Sequence, residues 1–302
     1  MPTATTLPTP ADVDAAAARV ARHARRTPVL RAEVDGRPLV LKLEQLQRTG
    51  SFKFRGALNA LLGGARPDRV VTASGGNHGL AVATAAAVLG LPATVYVPES
   101  APAAKTRRIE ATGAELVAAG ATYAEAAAAA TAAAAAPGTR YVHAYNDPLV
   151  VAGQGTCAAE AVADVSEVDT LVVAVGGGGF AAGTVLGSGG RPVVAVEPAN
   201  CRALHDALAA GQPVDATVDS VAASALGATR VGELPFAILR DVTSALVDDD
   251  AILAAMDRLW EEFRLAVEPA GAVPFAAWLA GLVPGDLPCL VLCGANADWT
   301  PR

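Results

Sequence analysis

Short runs of aliphatic and β-branched residues alternate with alanine-rich stretches of helical period along most of the 302-residue chain. The apolar runs at 39–43, 69–72, 94–97, 170–175, 192–197 and 289–292 have the length and composition of buried strands. Helices are predicted over 11–26, 79–89, 104–112, 123–136 and 252–264. The alanine run within 124–136 is bracketed by Thr122 and by Pro137-Gly138, which are start and stop signals of a helix rather than marks of a low-complexity linker. This alternation predicts an α/β fold, with parallel-type sheets flanked by helices. At this length a single core begins to divide, so two lobes are expected.

Two glycine-rich segments fall at strand-to-helix junctions, where open α/β sheets bind ligands. SGGNHG at 74–79 follows one strand and opens a helix, and VGGGG at 175–179 does the same. Gly176, Gly177, Gly178 and Gly179 present main-chain N–H groups at a helix start, an arrangement suited to phosphate. A tight turn for close helix–strand packing is the structural alternative. Nothing matches GxxxxGK[ST], so a nucleoside triphosphate is not expected. Gly177, Gly179 and Ala182 also fit GxGxx[GA], with Glu197 twenty residues after Gly177, which makes a dinucleotide-binding oxidoreductase the second reading. The SGGNHG segment offers amides, the Ser74 hydroxyl and the Asn77 carboxamide, a set suited to a carboxylate. His78, in a first helical turn, reads as a structural hydrogen-bonder before it reads as an acid or base.

In TGSFKFRGA, residues 49–57, Lys53 stands between Phe52 and Phe54. A reactive amine needs a dry pocket that lowers its pKa, whereas a stem lying along apolar surface is the plain alternative. Overall charge narrows the ligand class. A net charge of -7, a pI near 5.1 and the lack of a dense Lys/Arg block argue for a small molecule and against nucleic acid. The amino terminus lacks a secretion signal, and no run approaches the roughly 18 apolar residues of a membrane span, so a cytoplasmic protein is expected. Cys157, Cys201, Cys289 and Cys293 are too scattered for a disulfide framework or a zinc site.

An amine in an apolar pocket, a phosphate nest and a carboxylate loop together describe an amino acid held on pyridoxal phosphate. The segments KLEQLQRTGSFKFRGALNA, ASGGNHGLA, AGQGT at 152–156, VGGGGFAAG, VEPAN at 196–200, EPAGA at 268–272 and LCGANAD follow in that order. With them the chain closely resembles the pyridoxal-phosphate enzymes of the tryptophan-synthase-β fold, fold type II, in the serine/threonine dehydratase and serine racemase group. The resemblance implies that Lys53 holds the cofactor as an imine, that Phe52 packs on its ring, and that Gly176 to Gly179 take its phosphate. It sets Asn77 on the ring hydroxyl and Cys293 on the pyridine nitrogen. Ser74, Gly75, Gly76, Asn77 and His78 take the substrate carboxylate, with Ser224 a further substrate contact. The expected division is a large domain of 1–66 and 148–302 and a small domain of 67–147, in a homodimer.

The thiol of Cys293 cannot hold the pyridine nitrogen as a cation in the way a carboxylate can, so elimination should beat transamination. The expected activity is β-elimination from L-threonine or L-serine, with Lys53 as the base at Cα and the cofactor phosphate as the proton donor to the leaving hydroxide, giving a 2-oxo acid and ammonia. A 3-hydroxyaspartate or an aryl-serine is the sibling substrate. Racemases of the group carry a second serine where this chain has Gly75, so racemisation should be weak or absent. Glu197 keeps the acid of the group's divalent-metal site, but Ala203 stands where a second carboxylate is expected, so no metal is expected. Ser220 replaces a glycine that lies against the cofactor and is expected to alter ring contact. The sequence ends just past CGAN, and no regulatory domain is expected.

Overall fold

The computed structural model describes residues 6–101 and 103–297. The last aspartate of the LCGANAD segment lies outside them. Helix α1 (Pro10–Val20) is followed by β1 (Val29–Val34), which turns on Asp35 and Gly36 at φ of 53° and 71° and returns as β2 (Arg37–Lys42). Both turn positions need left-handed backbone, which Asp-Gly adopts readily. The resulting β1–β2 pair is antiparallel, a departure from the expected parallel arrangement.

After α2 (Lys53–Leu62), strands β3 (Arg69–Ala73), β4 (Ala93–Val97), β5 (Glu115–Ala118) and β6 (Thr139–Tyr141) alternate with α3 (Asn77–Val88), α4 (Ala103–Glu110) and α5 (Tyr123–Ala133). These strands form a parallel sheet in the order β5-β4-β3-β6. The chain then runs through α6 (Pro148–Asp164), β7 (Thr170–Ala174), α7 (Gly179–Gly187), β8 (Val193–Pro198), α8 (Ala203–Ala210), α9 (Ala223–Leu226), α10 (Glu233–Leu239) and β9 (Thr243–Val247). It closes with α11 (Asp249–Phe263), α12 (Pro269–Leu279) and β10 (Pro288–Val291). Strands β7 to β10 join the hairpin in a six-stranded sheet of order β1-β2-β10-β7-β8-β9, parallel from β2 onward.

All six predicted strands are present to within two residues at either end. The first helix stops earlier than the predicted 11–26, because the carboxamide of Gln47 takes both the N–H and the carbonyl of Arg25 at 2.9 Å and holds that residue outside the helix. Helix α5 starts as predicted on a reciprocal cap between Thr122 and Glu125. No helix among the described residues is long and apolar enough to cross a membrane, and all four cysteines are buried and free.

The larger core lies on both faces of the six-stranded sheet, around side chains such as Leu39, Leu41, Leu171 and Phe275. A second cluster, with Phe54, Leu58, Val82 and Val142, joins α2 to the smaller sheet. Helix α7 is pressed against α6 at glycines. A Cβ on Gly187 would stand 2.2 Å from the Gly155 carbonyl oxygen, and one on Gly183 would stand 2.5 Å from that of Val151. Backbone cannot yield as a flexible side chain does, so overpacking of up to about 3 kcal/mol outweighs the roughly 1 kcal/mol of helix propensity that alanine brings. Gly187→Ala is expected to lose about 2 kcal/mol, read as a lower urea midpoint at unchanged slope.

Candidate active site

The position of Lys53 is fixed by how the chain leaves β2. Instead of entering another sheet, residues 45–52 run along the exit of β10, with Gln45 N–H donating to Leu292 O at 2.8 Å and Phe52 N–H to Cys293 O at 3.1 Å. Ala295 N–H donates to Gly50 O at 2.9 Å, and Ser51 pairs with Gly294. Gly50 has a φ of 74°, and a Cβ there would stand 2.5 Å from Asn296 Oδ1, so only glycine lets the two segments close. Lys53 therefore opens α2 beside Cys293.

Its amine donates to the Ala144 carbonyl at 3.0 Å, in the loop that follows β6. Burial pulls the amine pKa down to about 8, against an opposing pull from Cys293 and Glu268. The Phe52 ring stacks on Phe180 at a centroid distance of 4.1 Å, so one of its faces is already covered. The Cys293 thiol donates to Ala270 O at 3.4 Å, and burial, with Glu268 nearby, pushes its pKa up, so the group is a neutral thiol.

The glycine loop leaves β7, and Gly178, at a φ of 88°, caps α7. The N–H groups of Gly176, Gly177 and Gly178 meet no acceptor among the described residues. A Cβ on Gly177 would stand 2.3 Å from the Tyr145 ring, so this glycine serves close packing as well as an open row of amides. The SGGNHG loop leaves β3. Ser74 Oγ accepts from Gly76 N–H at 3.2 Å, and Asn77 opens α3. A Cβ on Gly75 would meet only ordinary contacts, at 3.6 Å. His78 bonds to Val142 O at 3.0 Å, and burial together with the Lys53 charge lowers its pKa to about 3.

Two residues without an assigned role in the sequence reading hold the Asn77 carboxamide. Asn77 donates to Glu268 Oε1 at 2.8 Å and accepts from Asn296 Nδ2 at 2.8 Å, while Asn296 N–H donates to Glu268 Oε2 at 3.2 Å. Glu268 is buried at the start of α12. Their signal was a buried acid ahead of a helix-opening proline in EPAGA and the asparagine of CGAN.

Every residue that the sequence suggested for cofactor or substrate lines one cavity of about 410 Å³. Glu197 and Ser220 do not line it. Glu197 is fully buried at the end of β8, where its carboxylate accepts from the N–H groups of Leu204 and His205 at 2.8 Å each. Burial raises its pKa to about 7, and it caps the start of α8. The dinucleotide reading fails there, because it needs that acid free beside a ribose. Among the described residues no three or more His, Cys, Asp and Glu side chains gather as metal ligands. Ser220 turns its hydroxyl to Asp249 at 2.5 Å.

Desolvated lysine, unpaired glycine-loop amides and a polar loop, gathered where the parallel strands of two sheets end, define an enzyme that works through a bound aldehyde and an anionic tail. The chain belongs to the family of pyridoxal-phosphate dependent enzymes, whose pattern matches residues 20–294. Its relatives include the L-threonine ammonia-lyase of Geobacter sulfurreducens, 38% identical over 93% of this chain and 73% of that protein. The serine racemase of Arabidopsis thaliana is 33% identical over 93% of this chain and 90% of that protein. A crystal structure of a threonine deaminase from T.th. superposes with a TM-score of 0.91 at 35% identity, covering 97% of this chain and all of that one.

Because burial favours the neutral amine, Lys53 is expected to react with a water-soluble amine reagent at a midpoint near pH 8 in the cofactor-free chain. Pulse labelling from about pH 6 upward, with peptide mapping, reads this directly. A midpoint near the ordinary lysine value of 10.5 would contradict the desolvated site.

Proposed function

We propose that this chain is an ammonia-lyase that dehydrates and deaminates L-threonine, L-serine or both to a 2-oxo acid and ammonia. The observation that carries the reading is Gly75. Elimination needs one base at Cα, whereas inversion needs a second proton donor on the opposite face, and at this position the cavity wall offers no side chain at all. The threonine ammonia-lyase and threonine deaminase names among the relatives support the same choice, while the serine racemases among them keep inversion as the outcome to test against.

The residues present suit the cofactor: three unpaired amides at a helix start for its phosphate, and an amine already biased to the neutral form for its aldehyde. When bound, it draws electron density from the substrate Cα–H bond. In this reading Gly176 to Gly179 hold its phosphate, Lys53 anchors it, and Asn77 and Cys293 flank its ring. Ser74 to His78 bind the substrate carboxylate, and Ser224 bounds the remaining space. Lys53, freed by the incoming amine, takes the Cα proton. The segment 67–147 forms a small lobe that carries the carboxylate loop, set against a large lobe of 1–66 and 148–302 that carries Lys53 and the glycine loop.

The test is a coupled 2-oxo-acid assay on L-threonine and L-serine, with chiral chromatography of the remaining amino acid and with 3-hydroxyaspartate and phenylserine as comparison substrates. Oxo-acid release without D-serine supports the reading, and D-serine as the main product refutes it. Lys53→Ala is expected to lose the visible cofactor band and turnover together. Since a Cβ at position 75 meets only ordinary contacts, Gly75→Ser is expected to fold normally and to gain measurable D-serine formation.

A further inference from the structure

A single peptide unit joins the Lys53 amine to the side chain of His143. Lys53 donates to Ala144 O at 3.0 Å. The N–H at the other end of that same unit belongs to Tyr145, and it donates to His143 Nδ1 at 3.2 Å. Asn146 N–H reaches the same nitrogen at 2.9 Å. A main-chain N–H only donates, so Nδ1 carries the lone pair, and Nε2 of the neutral ring carries the proton. His143 thereby closes a tight turn over 143–146 with its own side chain, as an asparagine does in an Asx-turn.

A trans peptide unit is planar, so its C=O and its N–H point in opposite directions, and whatever holds one end sets the other. A flip of this unit would turn an N–H toward the lysine, donor against donor, and would leave the amine without its acceptor. The Tyr145 N–H meets no other acceptor among the described residues. Neighbouring contacts set where the loop lies: Asn146 Oδ1 accepts from Leu234 N–H at 3.0 Å, and the Tyr145 ring lies 2.3 Å from where a Cβ on Gly177 would stand. The imidazole meets Tyr141 and Tyr145 edge-on, at centroid distances of 6.2 and 4.7 Å. Burial, and after it the Lys53 charge, holds its pKa below the ordinary histidine value against an opposing pull from Asp147, so the form able to accept is the favoured one.

We propose that His143 is a positioning residue for Lys53: its Nδ1 grips the Tyr145 N–H, so that the Ala144 carbonyl at the other end of the same peptide faces the amine and aims it. The inference rests on the reading of Lys53 as the cofactor-anchoring base. Once the incoming substrate frees the amine, a fixed acceptor restricts a long flexible side chain, and orientation of this kind lowers the entropy lost on reaching the Cα proton. The charged and titratable groups around the imidazole are Lys53 on α2, His78 on α3, Tyr141 on β6, and Tyr145 and Asp147 in its own loop. An imidazolium would set a third N–H against the two that Nδ1 now accepts, so the arrangement belongs to the neutral ring.

The test uses the full-length chain with and without cofactor. His143→Asn sets an oxygen at the place of Nδ1, His143→Leu keeps a branch there without an acceptor, and His143→Gln carries its oxygen one bond too far out. In the cofactor-free chain, hydrogen exchange at the Tyr145 and Asn146 amides is expected to quicken about tenfold or more in the Leu and Gln variants and to stay near wild type in His143→Asn. Loss of an acceptor disfavours the ammonium form, so the Lys53 labelling midpoint is expected to fall by about half a pH unit in the same two variants only. With cofactor, these two are expected to lose about tenfold in kcat at a KM within about twofold of wild type, with a larger isotope effect from substrate deuterated at Cα, while His143→Asn keeps wild-type values. Exchange that quickens without a change in the midpoint and the isotope effect overturns the proposal, as do amides that stay protected in both variants. If His143→Leu fails to fold, His143→Gln carries the test. A visible cofactor band that survives Lys53→Ala would instead sink the reading of Lys53 itself, which keeps the two failures apart.

Discussion

The hydrogen bond from the Lys53 amine to the Ala144 carbonyl joins the helix that follows β2 of the larger sheet to the loop that follows β6 of the smaller one. It holds a charged group's precursor in a place where charge is disfavoured. Burial is the largest cause of the depressed pKa, and the carbonyl is what the amine retains in exchange for water. The sign of the linkage follows. The folded chain prefers the neutral amine, so this site penalises folding below about pH 8, and the penalty fades as pH rises toward 10.5, where the unfolded chain also loses the proton. The site is therefore a cost that the rest of the fold must carry.

Part of that support lies directly beneath it. Arg55, two residues after Lys53 and fully buried, donates to Glu44 at 2.6 Å and to Glu160 at 2.7 Å, and Lys42 reaches Glu160 at 2.9 Å and Thr27 O at 2.7 Å. Two cations face two carboxylates, so the cluster is balanced, and most of its donors are satisfied. A buried network of this kind adds little net stability over an apolar core, but removing one member strands its partner at a cost of about 3–5 kcal/mol. Lys42 on β2, Glu44 on the turn that follows it, Arg55 on α2 and Glu160 on α6 tie these segments together at the first turn of α2, where Lys53 emerges.

Chemistry carried by motifs was legible in the sequence, because lysine, glycine-rich loops and their order along the chain are properties of residue type. Strands that are buried on both faces were legible too, as continuous apolar runs. Strands β5, β6 and β9 were not, because they are only partly buried and show neither a continuous run nor a clean alternation. The β1–β2 hairpin did carry its signal, in the Asp35-Gly36 pair between apolar runs, and it marks the one antiparallel step in the larger sheet. The acceptor for Lys53 had no signal at all. A main-chain carbonyl is common to every residue, and only the fold brings that of Ala144 to position 53 across 91 residues. Glu268 and Asn296 escaped assignment for a similar reason, since they meet Asn77 across 191 and 219 residues.

That meeting determines more than position. Asn296 gives both protons of its carboxamide nitrogen, one to Thr49 O at 2.7 Å and one to Asn77 Oδ1 at 2.8 Å, and its oxygen accepts from Arg108 at 2.8 Å. A carbonyl can only accept and a guanidinium can only donate, so Asn296 has a single orientation that satisfies both. The choice is passed on, because Asn77 must then present its oxygen to Asn296 and its nitrogen to Glu268, whose carboxylate accepts at 2.8 Å. One N–H of Asn77 remains uncommitted, in a residue that lines the cavity. The wall therefore offers a donor at this point and not an acceptor, and an oxygen-bearing ring edge suits it better than a protonated nitrogen. Directionality imposed by an exposed arginine and a main-chain carbonyl thus reaches the cavity through two carboxamides.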